Sequence, residues 1–114
     1  MCEDKEDKIK EVVAKFAKEV KKIYGTLLYA VILYGSYARG DNAEDSDIDV
    51  MILVDVAQEE IGKVRRQILD ISDQIDLEYD VVLAPVIQNY QLYYQYMSIS
   101  RFYQNVQREG VRFV

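Results

Sequence analysis

The chain has 114 residues, half of them apolar, with 14 basic and 20 acidic side chains and no histidine. That length predicts one domain, spanning 1–114, with a core that needs no covalent staple. The single cysteine, Cys2, excludes a disulfide framework and a multi-cysteine zinc site, and the lack of histidine excludes Ser-His or Cys-His catalysis and a His-based metal site. The net charge of −6 is uneven, because residues 41–80 hold thirteen acids against Lys63, Arg65 and Arg66. Such a surface repels nucleic acid and bare nucleotides unless divalent cations stand between them. The longest apolar run, 27–34, falls short of the ~20 residues that a membrane span needs. Met1-Cys2-Glu3-Asp4 is acidic and polar, unlike a secretion signal. A soluble cytoplasmic domain is expected.

Residues 4–24 read as an amphipathic helix. Ile9, Val12, Val13, Phe16, Val20, Ile23 and Tyr24 recur at three- and four-residue steps. Acids lead, lysines close, and Asp4–Lys8, Glu6–Lys10 and Glu11–Lys15 have the spacing of ion pairs along a helix. Gly25 is a natural stop. Residues 27–34 are apolar throughout and predict a strand buried on both faces. A polar connection, 35–47, leads to a second buried strand over 48–56. Helical period returns over 58–75, where Ile61, Val64, Ile68, Ile71 and Ile75 step by three and four. A third strand is expected over 79–87, with Pro85 marking an edge or a bulge. Residues 88–109 predict one or two helices, Gly110 a stop, and 111–114 a short last strand. The order is that of an α/β or α+β domain, a small mixed β-sheet flanked by helices.

The informative segment is Gly35-Ser36-Tyr37-Ala38-Arg39-Gly40-Asp41-Asn42-Ala43-Glu44-Asp45-Ser46-Asp47-Ile48-Asp49-Val50. Gly35 and Gly40 have the spacing of a P-loop, but Asp41-Asn42 stand where the phosphate-clamping lysine and its hydroxyl neighbour belong. A calcium loop starting at Asp45 fails because Val50 replaces its glycine and Val56 its last acid. A third reading fits. Gly35 lets backbone approach a phosphate closely, Ser36 adds a hydroxyl, and free N–H groups where a helix begins favour anions. Asp47 and Asp49 are two apart on a strand and so share a face. Two such carboxylates are costly unless paired or metal-bound. Oxygen ligands beside phosphate point to Mg²⁺ or Mn²⁺.

Gly-Ser, ten residues, Asp-x-Asp and an apolar strand resemble the signature of the DNA polymerase beta-like nucleotidyltransferase superfamily. Ala38-Arg39-Gly40 and Ser46-Asp47-Ile48-Asp49 are similar to its minimal nucleotidyltransferase branch, which includes antitoxins paired with HEPN-type toxins. The tail Phe102-Tyr103-Gln104-Asn105-Val106-Gln107-Arg108-Glu109-Gly110-Val111 also resembles that branch. The resemblance implies that Gly35 and Ser36 contact nucleotide phosphates and that Asp47 and Asp49 bind two metal ions. A third carboxylate from a neighbouring strand completes the site. Asp80 is the acid expected there, with Asp76 and Glu78 as alternatives. Some relatives carry an acid where this chain has Val82. Arg39 either contacts phosphate or caps the acidic loop, whose Asp41, Glu44 and Asp45 read as solvated. The implied chemistry is two-metal phosphoryl transfer, with ions ~3.5–4 Å apart. For the site to assemble, strands one and two must be antiparallel, and strand three parallel to strand two across a helical connection.

The implied function is transfer of a nucleoside monophosphate, AMP from ATP, to a hydroxyl such as a tyrosine of a HEPN-type partner. The alternatives are a weak or inactive antitoxin that masks its partner, and a small-molecule nucleotidyltransferase. Direct nucleic-acid binding is not expected, since there is no basic stripe. A homo-oligomer is left open. Tyr90, Tyr93, Tyr94 and Met97 form a helical stripe near Tyr96 and Phe102, readable as core or as a partner surface. Tyr37 either borders the nucleotide or packs, and Cys2 reads as an inert terminal thiol.

Overall fold

The computed structural model describes residues 2–42 and 46–114, and side chains from residue 7 onward. Cys2, the Asp4 and Glu6 pairings, Glu44 and Asp45 therefore lie outside the described side chains.

Helix α1 (Cys2–Tyr24) forms on the apolar stripe read from the sequence, and Val12, Val13, Phe16 and Val20 are fully buried. Lys15 pairs with Glu78 at 2.7 Å instead of the expected Glu11, because it faces the neighbouring long helix. A single 3-10 turn (Gly25–Leu27) starts at Gly25, whose φ of +58° suits glycine, and leads into β1 (Leu28–Tyr34). A one-turn helix, α2 (Ser36–Arg39), follows at once. Strand β2 (Ile48–Val54) comes next, then a 3-10 turn (Gln58–Glu60), α3 (Gly62–Tyr79) and β3 (Leu83–Asn89). The chain ends with α4 (Tyr90–Tyr96), α5 (Arg101–Glu109) and β4 (Val111–Arg112). The expected helical tail is thus two pieces. Asn89 caps the first by accepting from the Leu92 N–H (3.0 Å), and Ser100 caps the second by accepting from the Tyr103 N–H (3.2 Å).

The strand order is β3-β2-β1-β4. β1 runs antiparallel to both β2 and β4, and β2 runs parallel to β3, with α3 as the crossover. This is the mixed sheet and the strand directions that the sequence argument required. Pro85 lies in β3, an edge strand, as its missing N–H demands.

Most boundaries shift by one to four residues from the sequence reading, and one shift bears on the site. The third strand begins at Leu83, not at Tyr79, because α3 continues for a further turn. A step of four from Ile75 reaches Tyr79, which is half-buried against the α1–α3 core. Asp80 then ends the helix in the left-handed conformation (φ 54°, ψ 55°), its N–H donating to the Asp76 carbonyl.

The sheet separates two apolar layers. On one face α1 and α3 pack on Val31, Leu33, Val50, Ile52 and Leu83. On the other, Tyr93 of α4 and Val106 of α5 cover Ala30, Ile32, Met51 and Leu53. Both central strands are therefore buried on both faces, as their uniform apolarity predicted. Among the described residues no helix is long and apolar enough to cross a membrane.

Candidate functional site

The register places the site. Tyr34, the last residue of β1, sits opposite Asp49 near the start of β2, so the turn after β1 and the carboxylates before and within β2 meet at one end of the sheet. Gly35 makes the turn with φ +77° and ψ −153°, a conformation that L side chains rarely adopt. A Cβ on Gly35 would run into Oδ2 of Asp49. The glycine is thus required twice, for the backbone angle and for the space that the carboxylate fills. The Arg39 N–H donates to the Gly35 carbonyl (3.1 Å), and the Gly40 and Asp41 N–H groups both donate to the Ser36 carbonyl, closing the turn.

Asp49 is partly buried, and Asp47 is exposed just before the strand. Burial pushes the Asp49 carboxyl up from its ordinary value, the Asp47 charge pushes it further, and the Arg39 charge pulls it back. Two close carboxylates with incomplete compensation favour a cation. The donor set is all oxygen, which fits Mg²⁺ or Mn²⁺ held by one or two carboxylates together with substrate phosphates. Burial and the Asp49 charge also raise the Tyr34 hydroxyl, to about 12, so it stays neutral beside the site.

Arg39 bonds to Asp41 through Nε (3.1 Å), as the loop-capping reading had it, and also to Glu109 through Nη1 (3.4 Å). Glu109 was not singled out from the sequence, since nothing local links residues 70 positions apart. Tyr37 packs against the α1–α3 core.

Gly35, Ser36, Arg39, Asp47 and Asp49 are therefore gathered at one end of the sheet. Asp80 is placed differently. It is exposed at the end of α3, three residues ahead of β3. Among the described residues no three acidic side chains are grouped to hold a metal ion. Asp76 accepts a hydrogen bond from the Leu83 N–H at 2.9 Å and so anchors the start of β3; burial raises its carboxyl, that hydrogen bond pulls it back, and the charges of Asp73 and Asp47 push it up again. The Ile48 N–H donates to the Val82 carbonyl, and Asp49 pairs with Ala84. Val82, the residue before β3, is 55% exposed, and the same register carried two residues back from Asp49 and Ala84, past both strand starts, leads to Asp47 and Val82.

The tyrosine stripe divides between both readings. Tyr93 is fully buried and donates to Gln107 (3.2 Å), with Tyr90 and Met97 packed around it, while Tyr94 and Tyr96 are exposed. Phe102, 47% exposed, meets Tyr34 edge-on at 5.5 Å beside the site.

The model of the nucleotidyltransferase domain family matches residues 13–107. The chain belongs to that family. Its relatives include two proteins of Methanocaldococcus jannaschii. One, named "Putative protein adenylyltransferase MJ0141", is 40% identical over 77 residues, covering 68% of this chain and 76% of the relative. The other, named "Putative protein adenylyltransferase MJ0604", is 32% identical over 100 residues, covering 88% of this chain and 92% of the relative. A solved structure described as "Crystal structure of the toxin-antitoxin with AMP-PNP" shares the fold, with a TM-score of 0.56 at 18% identity over 89% of this chain and 72% of that one. The family membership bears out the resemblance carried by the Gly-Ser and Asp-x-Asp motif.

Proposed function

We propose that this nucleotidyltransferase binds ATP at the Gly35–Arg39 turn and transfers AMP to a hydroxyl of a partner protein. The observation that carries the reading is the packing of Gly35 against Asp49, which sets the glycine turn against a carboxylate pair. Asp47 and Asp49 would hold the divalent ion. When bound, that ion neutralises phosphate charge and polarises the phosphoryl oxygens. Gly35 and Ser36 orient the phosphates through backbone and hydroxyl donors, and Arg39 adds a charged donor. The acceptor oxygen forms a bond to the α-phosphorus as the bond to the bridging oxygen breaks. Pyrophosphate leaves, and the hydroxyl proton passes to a carboxylate or to water.

The relatives' names support protein adenylylation, and the neighbour's description supports an adenine nucleotide and a toxin as partner. A tyrosine of a HEPN-type toxin is the acceptor we assign, and the cytoplasm the compartment. The test incubates the chain with ATP, Mg²⁺ and the protein encoded beside it, then reads the partner's mass. Gain of one AMP that is lost with chelator and with Asp49→Asn supports the reading. An unchanged partner that is nevertheless bound supports the second reading, a masking antitoxin.

One observation favours that second reading. Just ahead of β3, where the Ile48 N–H donates to the Val82 carbonyl, the chain carries a valine, which cannot ligate. Asp80 is the acid we assign to the third place, and Asp80→Asn tests it. Loss of transfer as deep as with Asp49→Asn gives it the role, and retained transfer leaves it as the helix cap. Val82→Asp adds a carboxylate on the Asp47 face and should tighten Mg²⁺ or Mn²⁺ binding several-fold, since ligand charge tunes such sites.

A further inference from the structure

The end of α5 reaches back to the motif turn. Glu109 Oε2 lies 3.4 Å from Nη1 of Arg39, and Asp41 Oδ2 lies 3.1 Å from Nε of the same guanidinium. The arginine is thus held from two sides, by its own loop and by an element 70 residues away. Close packing fixes the approach of that element. A Cβ on Gly110 would run into Ile32 and the Val106 carbonyl, and Val111 then pairs with Leu33, two residues before Gly35. Glu109 therefore hangs from a backbone pinned to β1 next to the site. A guanidinium has five N–H donors, and the two bonds leave donors for a phosphate. Its charge reaches the Asp49 carboxylate.

We propose that Glu109 is a positioning residue for Arg39: together with Asp41 it holds the guanidinium at the motif turn so that its remaining donors meet nucleotide phosphate. This rests on the nucleotide reading of the Gly35–Arg39 turn proposed above. Exposed ion pairs contribute little to stability, so the effect belongs in nucleotide affinity and not in the unfolding midpoint. An arginine that is free to swing loses the preorganisation that makes its fork effective.

The experiment titrates MgATP into the full chain and into Glu109→Gln, Glu109→Asp, Arg39→Ala and the double variant Arg39→Ala/Glu109→Gln, with a thermal melt of each. Glu109→Gln should weaken binding about three- to tenfold at an unchanged melting midpoint, and Glu109→Asp should recover part of the loss. In the Arg39→Ala background Glu109→Gln should add less than about twofold, the signature of two residues acting through one contact. Full affinity in Glu109→Gln overturns the proposal. So does an equal loss with and without Arg39, or a loss that tracks a lowered midpoint. Absence of MgATP binding by the unaltered chain overturns the nucleotide reading together with it, and is told apart because it appears before any substitution.

Discussion

The two faces of the sheet are built from the same strands to different ends. On the α1–α3 face, the alternate residues Val31, Leu33, Val50 and Ile52 meet two long helices in a mostly apolar layer. On the α4–α5 face, the same strands present Ala30, Ile32, Met51 and Leu53 to two short helices, and the layer turns polar at one end, at Tyr34 and Asp49. Long helices bury more area and set stability. Short ones leave the end of β1 and the start of β2 open, as the proposed phosphate site requires. The comparison teaches that the stabilising and functional layers are separable here, although they share a backbone.

The largest expected effect is on the open face. Asp47→Asn/Asp49→Asn removes both carboxylates and should lower AMP transfer by about a thousandfold or more, as losses of electrostatic catalytic groups do. Radiolabel transfer measures this, with circular dichroism showing an unchanged fold. Retention of transfer would place the chemistry elsewhere. On the closed face the expectation reverses. Phe16 is fully buried, and Phe16→Ala should cost about 3–5 kcal/mol in a urea melt, while ATP affinity of the folded fraction stays as it was. A parallel loss of affinity would show that the layers are coupled. Gly35→Ala lies where they join. It forces an L side chain to φ +77° and ψ −153° and into Asp49, so stability should fall by about 1–3 kcal/mol and ATP binding more steeply than that fraction explains.

The closed face was legible in the sequence because a stripe at helical period and two uniformly apolar runs admit few packings. The antiparallel β1–β2 pair followed from the demand that Ser36, Asp47 and Asp49 meet, and the parallel β2–β3 pair from the demand that Asp80 join them. Less legible was whatever depends on where an element stops. The extra turn of α3 moved β3 by four residues and took Asp80 out of it. That turn was hidden because Tyr79 reads equally well as the last residue of a helix or the first of a strand. Glu109 was hidden for another reason: its partner is far along the chain, and an acid at a helix end has no local signal. Pair distance is set by tertiary packing, and here by the absent side chain of Gly110.

The smallest expected effect is also the sharpest test of separability, because it asks whether the open face costs stability. Burial and Asp47 raise the Asp49 carboxyl above its ordinary value, so the folded chain binds that proton more tightly than the unfolded chain does. A raised carboxyl favours folding fully below the unfolded value of 3.8 and loses that contribution as pH rises through the folded value. At pH 7 the ionised group therefore works against the fold. Asp49→Asn, which carries no charge, should be slightly more stable than the unaltered chain at pH 7, and the difference should shrink as pH falls toward 4. Urea melts at the two pH values read it. A less stable Asp49→Asn at pH 7 would mean that Arg39 more than offsets burial, and that the carboxylate holds the turn together rather than straining it.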